Sequence, residues 1–199
     1  MAFEHAIALT GGIATGKSSA TMLLSLYGFR FIDADKITHR ILDENAGQIA
    51  DLFGEEYVSG SRVERGRLGQ LVFSDKVKRQ DLEALLHPLI YDEIARLSEE
   101  QERFGKPYII DIPLFFEGDR YPIGKSIVIY ASREKQLERL MKRDGYGEEE
   151  AMRRIDSQMD IEEKRKRATY VIDNSGDLKQ LQQECDRVKE EILSLSGGV

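Results

Sequence analysis

The chain has 199 residues, 41% hydrophobic and 33% charged, with a formal net charge of −7. This length accommodates one α/β core plus an insertion, and the acidic balance argues against a general nucleic-acid binder, whose surface must be basic. No apolar run approaches the ~18 residues of a membrane span, no signal-peptide pattern opens the chain, and Cys185 is the single cysteine, so a cytoplasmic protein without an intrachain disulfide is expected.

The first expected element is a short buried strand, Ala6–Thr10, and the segment that follows it is the most informative in the chain. Gly11-x4-Gly16-Lys17-Ser18 is a complete phosphate-binding loop. Its glycines let successive backbone N–H groups turn inward towards phosphate oxygens. The helix starting at Lys17 adds its positive end, Lys17 supplies a full charge, and the Ser18 hydroxyl is placed to ligate Mg²⁺. Gly11, Gly12, Ile13, Ala14, Thr15, Gly16, Lys17, Ser18 and Ser19 are therefore assigned to a nucleoside triphosphate, with Gly28 expected to close the helix. Thr15 is β-branched, so the loop must hold it at negative φ.

Arg30–Asp33 is the second expected strand. Ligands bind beyond the carboxyl ends of strands in open α/β sheets, which makes Asp33 a candidate general base; the alternative is a capping or solvated carboxylate. Asp35 shares its face, but a helix beginning at Lys36 would make Asp35 the N-cap. Helical patterns at Lys36–Leu42, Gln48–Phe53 and Lys76–Leu97, with no convincing strand among them, mark 34–107 as a helical insertion. Tyr108–Ile112 is the third strand. Asp111 near its end is placed either to hold Mg²⁺ through water or to stabilise a helix or turn. Pro113–Glu117 reads on its own as a hydrophobic plug.

Strands at Ser126–Tyr130 and Tyr170–Asp173 complete a βα series, and the fold class expected is α/β: a parallel sheet of about five strands flanked by helices, as in P-loop kinases. Between these strands, Arg139 and Arg143 lie one turn apart on a helix capped by Ser132 and can reach a common phosphate; Arg143, nearer the charged stretch 145–168, is the stronger candidate. That stretch suits a lid. In the last helix Leu178, Leu181, Cys185, Val188, Ile192 and Leu195 form a stripe, either packed on the sheet or, less favoured, pairing two copies. No guanine-reading Asn-Lys-x-Asp occurs, which favours ATP.

Taken together, these segments resemble the dephospho-coenzyme A kinase family. The resemblance covers almost the whole chain, through Thr10-Gly11-Gly12-Ile13, Ile32-Asp33-Ala34-Asp35, Leu86-His87-Pro88-Leu89-Ile90, Ile112–Glu117, Arg143-Asp144-Gly145, Gln158-Met159, Glu163-Lys164-Arg165 and Val171–Gly176. It implies transfer of the ATP γ-phosphate to the ribose 3′-hydroxyl of dephospho-CoA, the last step of coenzyme A synthesis, with Mg²⁺ at Ser18 and Asp111 as a second candidate ligand. Asp33, Lys17 and Arg143 become the catalytic set, while Arg139, Asn174 and Gly176 join the ATP site. Thr10, Asp33, Asp35, His87, Pro88, Leu114 and Glu117 are assigned to the acceptor. The implied domains are a core of 1–33, 108–144 and 169–199, a helical acceptor domain 34–107, and a lid 145–168. Family loops commonly read Gly-Ser where this chain has Ala14-Thr15, and threonine where it has Ser19.

The partners expected are ATP and dephospho-CoA, with neither nucleic acid nor membrane, for a monomer or small homo-oligomer. Two rivals stand beside this reading. One is another small-molecule P-loop kinase, acting on a nucleoside monophosphate or a sugar acid; the other is a nucleotide-binding regulator without turnover.

Overall fold

The computed structural model describes residues 2–118 and 120–196. In chain order, β1 (Ala6–Gly11) leads through the glycine loop into α1 (Lys17–Leu26) and β2 (Phe31–Asp33). Next come α2 (Ala34–Glu44), α3 (Ala46–Phe53), the hairpin strands β3 (Val58–Ser59) and β4 (Arg62–Val63), α4 (Arg65–Ser74) and α5 (Lys76–Glu102). The chain continues with β5 (Tyr108–Asp111), α6 (Phe115–Gly118), β6 (Lys125–Tyr130), α7 (Arg133–Asp144), α8 (Glu148–Asp156), α9 (Ile161–Arg167), β7 (Tyr170–Asp173) and α10 (Leu178–Ser196).

Two compact units result: one is residues 33–97, the other the chain up to Ile32 together with the chain from Ser98 on. The larger unit is built on a five-stranded sheet of order β2-β5-β1-β6-β7. β1 pairs in parallel with β5 on one side and β6 on the other, and β6 with β7. Ile7, Leu9, Ile109, Ile127, Ile129, Tyr170 and Ile172 cover one face, under Ala20 and Leu24 of α1 and Leu181, Cys185, Val188 and Ile192 of α10. On the other face Val128 and Tyr130 pack with Ile161 of α9. Coverage of both faces explains why these strands read as continuous apolar runs.

All five expected sheet strands are present, their ends displaced by no more than one residue. α1 ends as expected at Gly28, whose φ of 91° permits the closing turn. There the Gly28 N–H donates to Ser25 and the Phe29 N–H to Leu24, at 3.0 and 3.2 Å. The stripe on α10 is spent on the core at its centre, while Leu178 and Leu195 at its ends are exposed. Cys185 is fully buried there, and burial pushes its thiol up to about 12.

In the smaller unit the buried residues are Ala34, Ile37, Ile41 and Leu42 of α2, Ala46 and Ile49 of α3, Val63 of β4, Leu68 of α4 and Leu86, Ile90 and Ile94 of α5. Asp43 accepts the Val63 N–H at 2.9 Å, tying α2 to the hairpin. Arg40 spans from Glu44 to Glu93. The hairpin and α4 are additions to the helical reading, since two-residue strands leave no periodicity to detect. A second correction concerns capping. Asp33, not Asp35, caps α2: its carboxylate accepts the Lys36 N–H at 2.9 Å, because the helix starts at Ala34 rather than Lys36. α5 runs through Pro88, which lacks the N–H that would reach the Ala84 carbonyl. Among the described residues no helix is long and apolar enough to cross a membrane.

Candidate active site

The loop leaves β1 at Gly11 and enters α1 at Gly16, whose left-handed φ of 87° turns the chain into the helix. A side chain at Gly16 is excluded twice over, by that φ and because a Cβ would lie 2.1 Å from Asn174 Nδ2. Thr15 keeps a negative φ as expected; the positive value falls on Ala14, at 59°. No side chain caps α1 and no acid occupies its first turn, so its N-terminal N–H groups stay open to an anion.

The loop's carbonyls are drawn onto protein donors. Lys164 Nζ donates to the Gly11 oxygen at 2.9 Å and Gln136 Nε2 to that of Ile13 at 2.7 Å. The Thr15 hydroxyl donates to the Gly12 oxygen at 2.9 Å. Asn174 Nδ2 and Arg139 Nη1 both donate to the Thr15 oxygen, at 2.8 and 3.5 Å. With the carbonyls tied back, the N–H groups of Ala14 and Gly16 and those opening α1 are left to form the cradle. Lys17 Nζ lies 2.5 Å from Asp111 Oδ1, because Asp111 pairs in register with Leu9, two residues before the loop's first glycine. An ammonium carries three protons, so this bond leaves two for phosphate oxygens.

Lys164 is fully buried, and its charge is met by Glu117 Oε1 at 2.7 Å. The same Glu117 oxygen accepts the Met159 N–H at 3.1 Å. One residue earlier, Gln158 Oε1 accepts the Ile13 N–H at 2.8 Å. The loop's outer side also packs on apolar residues: Ile13 and Ala14 lie against the cluster of Leu140, Ala151 and Ile155 from α7 and α8.

Several assigned residues therefore converge in the larger unit: the loop, Lys17, Asp111, Arg139, Asn174 and Glu117. Arg139 and Asn174 face the loop's backbone, and Arg139 Nη2 also donates to the Asn174 carbonyl at 2.8 Å. Arg143 is held elsewhere, in a two-pronged bond to Asp144 at 2.7 and 2.8 Å that raises its affinity for its proton further. The Thr10 hydroxyl is buried and donates to the Pro113 oxygen at 2.7 Å, whereas Leu114 is exposed. Gly176 lies in the turn before α10. In the smaller unit, Asp33 pairs with Lys36 at 3.1 Å, Asp35 and Pro88 are exposed, and His87 is half-buried within α5.

Gln136 is missed altogether by sequence reasoning, which also gives Gln158 and Lys164 no site role although both bond to the loop. The signal for Gln136 is positional: it precedes Arg139 by three residues on the same helix face and is uncharged in a highly charged helix. For a divalent cation, the exposed Ser18 hydroxyl and the Asp111 carboxylate are hard oxygen donors. Among the described residues no group of three or more His, Cys, Asp or Glu could hold a metal. The Ser18 and Asp111 oxygens fit Mg²⁺ by their hardness, since that ion takes one or two protein oxygens and fills its shell with phosphate and water.

A family model described as dephospho-CoA kinase matches residues 5–180. The dephospho-CoA kinase of Sulfurimonas denitrificans is 57% identical over 192 residues, 96% of each chain. That of Wolinella succinogenes is 48% identical over 191 residues, 95% of each. Among solved structures, a dephospho-CoA kinase from Campylobacter jejuni superposes with a TM-score of 0.69 at 37% identity, covering 94% of this chain and 97% of that one.

Proposed function

The chain belongs to the dephospho-CoA kinase family, and from that premise we propose that it transfers the γ-phosphate of ATP to the ribose 3′-hydroxyl of dephospho-CoA, with Asp33 as general base. The observation that carries the nucleotide half of this reading is the loop whose carbonyls are tied back onto Lys164, Gln136, Thr15 and Asn174. Asp33 is supported as the base by closing β2, at the strand end where open α/β sheets bind ligands.

In the proposed reaction the acceptor hydroxyl oxygen bonds to the γ-phosphorus and its proton passes to an Asp33 carboxylate oxygen. The bond from phosphorus to the β–γ bridging oxygen breaks, and ADP leaves with that electron pair. Lys17 and the loop N–H groups hold the phosphates in line, and Arg143 neutralises charge on the group in flight after leaving Asp144. Ser18, with Asp111 as the second candidate ligand, would hold Mg²⁺, which would supply positive charge to offset the repulsion among the phosphates. His87, Pro88, Asp35, Leu114 and Glu117 are proposed on the acceptor side, and Gly176 near the adenine. Residues 34–107 would form the acceptor domain and 145–168 the lid.

ADP release should be stimulated by dephospho-CoA and not by AMP, adenosine or gluconate; no stimulation by dephospho-CoA would remove this reading. Asp33→Asn should cut turnover by ~10²-fold or more while ATP affinity stays nearly intact. Unchanged turnover would remove Asp33 as the base.

A further inference from the structure

The residues between α8 and α9 close a ring of bonds on the first turn of the phosphate loop. From the Gly11 oxygen the ring passes to Lys164 Nζ, from there to Glu117, and from Glu117 to the Met159 N–H. It returns one residue along the chain, through Gln158 Oε1 to the Ile13 N–H at 2.8 Å, and then along the loop to Gly11. Each link anchors the next. The Gln158 backbone is held because its neighbour Met159 is bonded to Glu117, and Glu117 is held because its partner Lys164 is fully buried.

This bond has a specific effect on Ile13. A phosphate loop works through inward N–H groups, yet the Ile13 N–H is spent on Gln158 and its carbonyl on Gln136 Nε2. Both peptide planes flanking Ile13 are thereby oriented by side chains from outside the loop. A free amide plane there could rotate and turn a carbonyl towards the phosphates, where it would repel them.

We propose that Gln158 is a positioning residue for ATP: its side-chain oxygen locks the Ile13 peptide in the orientation that keeps the cradle competent to bind the triphosphate. The inference rests on the reading of the loop as the ATP site. Removing the lock lowers the fraction of molecules with a competent loop, and apparent affinity falls by that fraction. Once ATP is bound, the loop is selected in its working form, so the loss falls on affinity more than on turnover.

The test uses the full chain, with MgATP as the probe and no acceptor present. Gln158→Met keeps the side chain's length and removes the amide oxygen. It should weaken ATP binding by about five- to tenfold, the scale of one lost hydrogen bond. Exchange of the Ile13 amide with solvent should accelerate by a similar factor, and turnover at saturating ATP should change far less than the KM for ATP. Gln158→Glu retains an acceptor oxygen at the same reach and should keep Ile13 exchange slow. Parental ATP affinity in Gln158→Met would overturn the proposal, as would a lowered melting temperature with binding unchanged. If instead the parent chain binds ATP but dephospho-CoA accepts no phosphate, the proposed acceptor is wrong and the Gln158 lock stands.

Discussion

Ala14 holds a backbone conformation that costs an L-residue about 1–2 kcal/mol, with φ at 59°. A glycine here would avoid that cost, but glycine adds freedom to the unfolded chain worth about 0.5–1 kcal/mol. It would also withdraw a methyl group from the cluster with Leu140, Ala151 and Ile155. These effects oppose each other, so Ala14→Gly should shift stability by less than about 1 kcal/mol in either direction. Ala14→Val, β-branched at positive φ, should lose about 2 kcal/mol or more. Urea unfolding of the pair checks this, and equal tolerance of both would contradict a left-handed Ala14. The same scale shows what was legible in the site. Gly11, Gly16, Lys17 and Ser18 were readable because their spacing is set by contact with phosphate. The Gln136 and Gln158 bonds to Ile13 join residues more than a hundred positions apart, and nothing local in the sequence requires them.

At the scale of elements, the buried Lys164 of α9 pairs with Glu117 of α6. Breaking a buried pair by removing one partner leaves the other charge uncompensated, at about 3–5 kcal/mol. Glu117 retains some exposure, 22% of its side chain, and keeps the Met159 N–H, so Lys164→Met should cost about 3 kcal/mol, near the lower end. Adding Glu117→Gln should cost less than the sum of the two single changes by about 1 kcal/mol or more. Strict additivity in urea unfolding would mean that the pair is not coupled. The elements of the sheet were legible because a strand buried on both faces must be apolar throughout, as Ile109-Ile110 and Ile127-Val128-Ile129 are. The α2 cap moved from Asp35 to Asp33 for a local reason. Either carboxylate can cap, and Asp33 does so because the helix begins at Ala34, which puts Asp35 inside its first turn.

For the whole molecule, stability should depend on pH at both extremes and little between them. Glu93 is held down at about 2, chiefly by its bond from Arg96, against a usual value of 4.5. A carboxylate lowered on folding contributes stability above its unfolded value, and that contribution fades as pH falls from about 4.5 towards 2. Tyr108 and Cys185 are pushed the other way by burial, both to about 12. Their contribution is complete below the unfolded values of 10.0 and 9.0 and is lost as pH climbs towards about 12. Urea midpoints should therefore be level from about pH 5 to 8.5 and fall on either side; a steep slope inside that window would contradict the assignment. The strand order β2-β5-β1-β6-β7 has a further consequence, for synthesis. β1 leaves the ribosome first, but both of its partners lie beyond residue 107. At about 5–20 residues per second, its edges wait on the order of 5–20 seconds for a neighbour. Residues 33–97, an uninterrupted compact unit, emerge whole during that wait. Residues 33–97 are thus complete before β1 gains either neighbour, and in the interval an unpaired apolar strand is exposed to other chains and to chaperones.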